Sequence, residues 1–259
     1  MLKQILLAAA LCTISYTTTT SADTFRAGLN SYTPYQADFR VGLNRTDNIP
    51  DTEKDESTES IQGEAVLKYW DGDEIGKRLF LSVPYELTNN SKGTSHGLER
   101  ITLGFGPRGR IDNFYWYFHG ALTFPGIEKG PNRYDFRFGL MATYLSPDKK
   151  FEIDIHSFYK FTGEEEKDNE TVNPPDELYA GIVVGYRIID NMIAGGGLTA
   201  LVKEKDYRIN ARVVLRWVFS KDVHLELVGD KTLYSKGIPG QESLLFMLRY
   251  NFDLDKPSK

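Results

Sequence analysis

The chain has one cysteine, Cys12, and it lies near the N-terminus. Downstream of it no disulfide can form, so the remainder must be held by packing and closed hydrogen bonding. Beyond the N-terminal region there is no apolar run of the about 20 residues that a membrane-crossing helix needs. Basic residues are in deficit: 31 Lys and Arg face 36 Asp and Glu, a formal net charge of −5. That balance lacks the electrostatic footprint of a nucleic-acid binder, and no nucleic-acid partner is expected. Only four histidines occur, His96, His119, His156 and His224. No His/Cys spacing of a metal site is visible, and neither a metal nor a cofactor is expected. Hydrophobic residues make up 41% and mean hydropathy is −0.39, so bulk apolarity does not advertise a membrane protein either.

What the chain does have is aromatic residues, 15 Tyr and 15 Phe among them, and a recurring alternation. The segment 244–252 places Leu244, Phe246, Leu248, Tyr250 and Phe252 in one register and Leu245, Met247, Arg249 and Asn251 in the other. Side chains alternate faces along a strand, so this is one apolar face with an aromatic end backed by a mixed face. The same pattern returns through the chain from Tyr35. Examples are Tyr35, Ala37, Phe39, Val41 and Leu43; Leu79, Leu81, Val83, Tyr85 and Leu87; and Phe114, Trp116 and Phe118 opposite Tyr115, Tyr117 and His119. The clearest sets Tyr207, Ile209, Ala211, Val213, Leu215 and Trp217 against Arg208, Asn210, Arg212 and Arg216. Segment 192–202 is too glycine-rich for its faces to be assigned. Pro84 falls on the inner face of its strand, which predicts a bulge or a missing ladder bond there.

These segments are about ten residues long, the length a tilted strand needs to cross a bilayer, and about twelve are expected. Long connections are predicted at 45–57, 89–97, 125–133, 163–176 and 235–241, with 204–206 a short exception on that side. The alternate connections are tight turns. Long loops on one side and short turns on the other are the asymmetry of outer-membrane barrels. Large aromatics gather at both strand ends: Tyr69, Tyr144, Tyr186, Trp217, Phe219, Tyr250 and Phe252 at the turn end, Tyr85, Phe124, Tyr134, Tyr159 and Tyr207 at the loop end. A soluble sandwich alternates too, but it has no reason to build two girdles, whereas two membrane interfaces select them. The fold class expected is therefore all-β, an antiparallel transmembrane up-and-down β-barrel over residues 35–252. Its first and last strands should pair.

The ends read accordingly. Lys3, the apolar run from Ile5 to Ile14 and the small residues Thr20, Ser21 and Ala22 have the layout of a secretory signal over residues 1–22. Residues 23–34 are expected as an N-terminal extension in the lumen or periplasm, and 253–259 as a short periplasmic tail.

Polar residues of the inner register are the candidate lumen lining: Arg40, Glu64, Lys68, Tyr115, Tyr117, His119, Arg137, Asp154, His156, Arg187, Arg208, Arg212, Arg216, Glu226 and Arg249. Arg208, Arg212 and Arg216 read either as a positive stripe for anionic solutes or as charges paired across strands. Both readings assume a polar interior. Gly104, Gly106 and Gly109 have dinucleotide-fingerprint spacing, but a strand and turn follow them where a helix N-terminus is needed. His156 and Ser157 are adjacent on a strand and point to opposite faces, so they form no nucleophile pair. The acidic loops at 45–57 and 163–176 read as solvated segments, with divalent cations near lipopolysaccharide the sharper option.

In layout, and in Leu79-Phe-Leu-Ser-Val-Pro-Tyr85 and Leu122-Thr-Phe-Pro125, the chain resembles the outer-membrane family named for the meta-pathway of phenol degradation. Members are described as outer-membrane transporters. The expected function is a passive channel or transporter for small solutes, and the resemblance suggests hydrophobic or aromatic compounds among them. Outer-membrane lipid and lipopolysaccharide are the expected surroundings. The final strand, ending in Tyr250-x-Phe252, is similar to the signal read by the barrel assembly machinery, although residues 253–259 follow it. A lipid-modifying enzyme using His119 and a structural or adhesive barrel working through its outer loops are the alternatives.

Overall fold

The computed structural model describes residues 35–46, 58–70, 75–90, 93–128, 130–167, 170–220 and 223–252. The expected signal, N-terminal extension and C-terminal tail, and the loop residues 47–57, lie outside the described residues. The architecture is a closed antiparallel barrel of twelve strands, with no helix among the described residues. In chain order the strands are β1 (Tyr35–Thr46), β2 (Thr58–Trp70), β3 (Ile75–Asn90) and β4, which runs as Gly93–Leu98 and then Thr102–Ile111. They continue as β5 (Phe114–Thr123), β6 (Asp135–Leu145), β7 (Phe151–Thr162) and β8 (Glu177–Ile189). The last four are β9 (Met192–Lys203), β10 (Asp206–Val218), β11 (Val223–Lys236) and β12 (Gln241–Phe252). A short hairpin of Glu165–Lys167 with Glu170–Val172 stands in the β7–β8 loop.

Closure is made by β1 and β12, paired from Tyr35↔Phe252 to Thr46↔Gln241. Every other strand pairs with its two chain neighbours, so the sheet has no free edge for lipid to leave unsatisfied. Alternation fixes which way each side chain faces, because a slip of one residue would turn the apolar set inward. Phe39, Leu43, Leu67, Phe118, Phe138, Ile182, Leu198, Val213 and Phe246 are all exposed on the outer surface. Apolar exposure this continuous marks a membrane-facing surface. Tyr144, Tyr186, Trp217, Phe219 and Tyr250 are exposed at its turn end and Tyr134 and Tyr234 at its loop end.

Two expectations change. Of residues 89–97, the described ones are strand and not loop: β3 runs on to Asn90 and β4 starts at Gly93, pairing Asn90↔Gly93 through Tyr85↔Leu98. Thr94, Ser95 and His96 are exposed in succession, and such a run carries no alternating signature. Likewise β11 reaches Lys236, leaving 237–240 as the connection, with Gly237 in the left-handed region at φ 67. Pro84 behaves as its position requires. Around it the partner of β3 changes from Leu98 at Tyr85 to Thr102 at Ser82, and the Glu99 N–H donates to the Pro84 carbonyl at 3.0 Å. The interruption of β4 at 99–101 is the bulge opposite that proline.

Candidate functional site

The interior is built in storeys. Its middle keeps many of the polar residues expected from the inner register but is broken by two apolar clusters. Val183, Val214, Val228, Leu245 and Met247, from β8, β10, β11 and β12, form one buried apolar cluster. Val66, Phe80 and Ala121, from β2, β3 and β5, form another. Both clusters cross a strand that contributes a glycine. A Cβ on Gly104 of β4 would lie 2.0 Å from the Phe80 ring, which therefore lies flat over that glycine and reaches Ala121. Phe80 was legible as an inward residue, since it shares the register of Pro84, but one phenylalanine among polar neighbours gave no separate signal.

Between the two clusters runs a row of rings on β5, β7 and β8. His119 stacks on Tyr117 at 5.3 Å between centroids and meets Phe80 at 6.4 Å and His156 at 6.2 Å. His156 continues to Phe158 at 5.4 Å and Tyr179 at 5.3 Å, and Phe158 stacks on Tyr179 at 5.0 Å. The contact from β5 to β7 again passes over a glycine, Gly139 of β6, whose Cβ would sit 2.6 Å from that of Phe158. Two arginines lie against this row. Arg78 stands 4.4 Å over the Tyr117 ring, and Arg137 is 5.7 Å from Phe80 and 5.5 Å from Phe158. Aromatic faces attract guanidinium groups most when water is excluded, and Tyr117, Phe158 and Tyr179 are almost fully buried.

Charged residues occupy the other side and the storeys above and below. Arg212 donates two bonds to Asp230, its cross-strand partner, at 2.7 and 2.6 Å. Arg216 donates to its own partner Glu226 at 2.8 Å and to Glu152 of β7 at 2.7 Å. Arg208 turns to the Pro239 carbonyl at 3.1 Å. Arg212 and Arg216 are thus paired charges, and with Arg208 held by a backbone carbonyl the three do not form an open positive stripe. Arg40 binds Glu64 at 2.6 Å, and Glu64 also accepts from Ser82. Asp154 accepts from Thr143 at 2.6 Å, while Lys68 and Arg249 are buried at the turn-side end. Near the loops, Glu177 bridges Lys160 at 2.7 Å and Lys203 at 2.5 Å.

Two candidates leave the lining. Arg187 bonds the carbonyls of Lys149 and Asp190, capping turns at the barrel's end. The backbone bulges between Arg187 and Ile189, which redirects its side chain. Tyr115 sits under Arg110, whose guanidinium is 5.1 Å from its ring, beside the Asp112–Asn113 turn. Gly104, Gly106 and Gly109 all lie within β4, as floors for Phe80, the Phe118 carbonyl and Trp116, and no helix follows them.

An apolar exterior between aromatic girdles, a closed twelve-stranded sheet and a graded interior together define an outer-membrane-type β-barrel. The chain belongs to the family described as "Putative MetA-pathway of phenol degradation", whose model matches residues 20–250. Among solved structures it is similar to the COG4313 outer membrane channel from Pseudomonas putida F1. The TM-score is 0.75 at 15% identity, covering 85% of this chain and 96% of that one. It is also similar to the NanC porin, with TM-score 0.57, 12% identity and coverage of 83% and 100%. A third similar structure is the CymD monoaromatic hydrocarbon channel, with TM-score 0.51, 7% identity and coverage of 86% and 90%. At these identities the likeness is one of fold. Among curated proteins nothing matches.

Proposed function

We propose that the protein is a passive channel of the bacterial outer membrane for small uncharged solutes, hydrophobic or aromatic compounds among them. On this reading residues 1–22 direct export and are removed, and the barrel assembly machinery inserts the rest beside lipopolysaccharide. The observation that carries it is the apolar part of the middle storey, two apolar clusters with a row of rings between them. An apolar constriction resists hydration, so it holds back water and ions while offering rings and aliphatic groups a surface of their own kind. Twelve strands enclose a lumen narrow enough for such a storey to be built by side chains alone. The ring row from Phe80 to Tyr179 extends that surface through six side chains on four strands. The monoaromatic hydrocarbon channel among the similar structures has the same fold in such a role.

Refolded protein in planar bilayers and in liposomes tests this. The expected result is small single-channel conductance in salt together with entry of a neutral aromatic solute that exceeds entry of a sugar of similar size. Absence of both conductance and solute entry overturns the channel reading. Lipid hydrolysis that disappears in His119→Ala points instead to an enzyme.

A further inference from the structure

The ion pairs of β10 are not equivalent. Arg212 and Arg216 each bond the acidic residue directly opposite on β11, Asp230 and Glu226. Pairs of that kind lie along the wall. Arg216 also bonds a second carboxylate, Glu152, and β7 is separated from β10 by both β8 and β9. A side chain spanning two intervening strands cuts a chord across the interior. The two strands beneath it contribute Gly185 and Gly195, which face each other in the ladder. A Cβ on Gly185 would lie 2.8 Å from Glu152 Cγ, so any larger residue there would lift the carboxylate off the wall. The space that Glu152, Arg216 and the two glycines enclose with Asp154, Val183, Ile193 and Val214 has no room for a water molecule. All three members of the bridge are buried, Arg216 to 1% exposure.

We propose that the Glu152–Arg216–Glu226 bridge is the latch that sets the width of the passage. With the bridge made, the sector over β8 and β9 is shut. With Glu152 released, Arg216 stays on Glu226 at the wall and the glycine floor joins the lumen. Glycine is the residue type that yields most cross-section when a bridge over it opens. The latch rests on the channel reading for its purpose but not for its test.

The test uses the full chain with Cys12→Ser and a reporter Val183→Cys beneath the bridge, with and without Glu152→Ala. Folding is checked by heat-modifiable migration, and Glu152→Gln replaces Glu152→Ala where the latter does not fold. A water-soluble thiol reagent is expected to label Cys at 183 about tenfold faster or more once Glu152 is removed, as for a locally opened site. Glu64→Ala, which breaks the Arg40–Glu64 pair on β1 and β2, away from β8 and β9, is expected to leave that labelling unchanged. Unchanged labelling in the Glu152 variants, or an equal rise in Glu64→Ala, overturns the latch. In planar bilayers the same Glu152 variants are expected to at least double unit conductance. Faster labelling with no conductance in any variant keeps the latch and overturns the channel reading; conductance without faster labelling does the reverse.

Discussion

The two sides of the interior solve one problem with different chemistry. On both, side chains two or more strands apart meet over inward glycines, Gly104 and Gly139 on one side, Gly185 and Gly195 on the other. Across β3 to β7 the bridge is made of rings, with arginines resting on their faces. Across β7 to β11 it is made of ion pairs. Ring contacts part with a loss of about 0.5–1.5 kcal/mol per pair and leave no charge exposed. Parting a buried ion pair leaves two uncompensated charges, at about 3–5 kcal/mol when one partner is removed. The ring side is thus the yielding wall and the ion-pair side the stiff one. A solute passing the middle storey should move the rings.

The severest way to break that comparison is to remove a floor common to the stiff side. Gly197 of β9 approaches β8 so closely that a Cβ would lie 1.9 Å from the Ile182 carbonyl oxygen. Backbone cannot retreat as a side chain can, so Gly197→Val should prevent pairing of β8 with β9. The expected outcome is loss of the heat-modifiable, protease-resistant barrel altogether; recovery of normal folded yield would contradict the close approach. Next in size is Asp230→Ala, which strands Arg212 in the interior. It should destabilise the barrel by about 3–5 kcal/mol in urea unfolding followed by tryptophan fluorescence. Phe158→Leu on the ring side is expected to lose only about 1 kcal/mol, since volume is largely kept, while raising entry of aromatic solutes into liposomes. Equal destabilisation by the last two changes would erase the distinction between the walls.

How far the sequence carried depends on what alternation can encode. It placed the apolar exterior, both girdles, the pairing of β1 with β12 and the bulge at Pro84, because each of these is a matter of register. It was silent where pairing continues beyond the apolar band, as where Asn89 meets Thr94, since polar residues on both faces carry no period. Inside, parity put Arg212, Arg216 and Glu226 in the inner register, where they are buried, yet said nothing of partners. That Arg216 reaches Glu152, 64 residues away, depends on Gly185 and Gly195 lying between them. Only the closed barrel brings those four together. The apolar clusters were hidden for a related reason: Val66, Val214 and Val228 each stand between two charged residues of their own register.

The smallest expected effect lies outside the bilayer, on the turn between β6 and β7. Asp148 accepts from the Ser146 hydroxyl at 2.5 Å and from the Lys150 N–H at 3.1 Å, and Ser146 in turn accepts from the Phe151 N–H at 2.9 Å. The serine hydroxyl first, and then the Lys150 amide, hold the Asp148 carboxyl below its ordinary range. Those bonds favour the charged form, so their stabilisation is complete above the range of an unfolded aspartate. It is lost as the pH falls through the lower folded value. Amide exchange at Lys150 and Phe151 should therefore quicken, after correction for intrinsic pH dependence, only on strong acidification. Asp148→Asn should abolish that change and leave exchange in the interior strands untouched. A response of the same size at Arg212 or Arg216 would show that the turn is coupled to the stiff wall, which the fold gives no reason to expect.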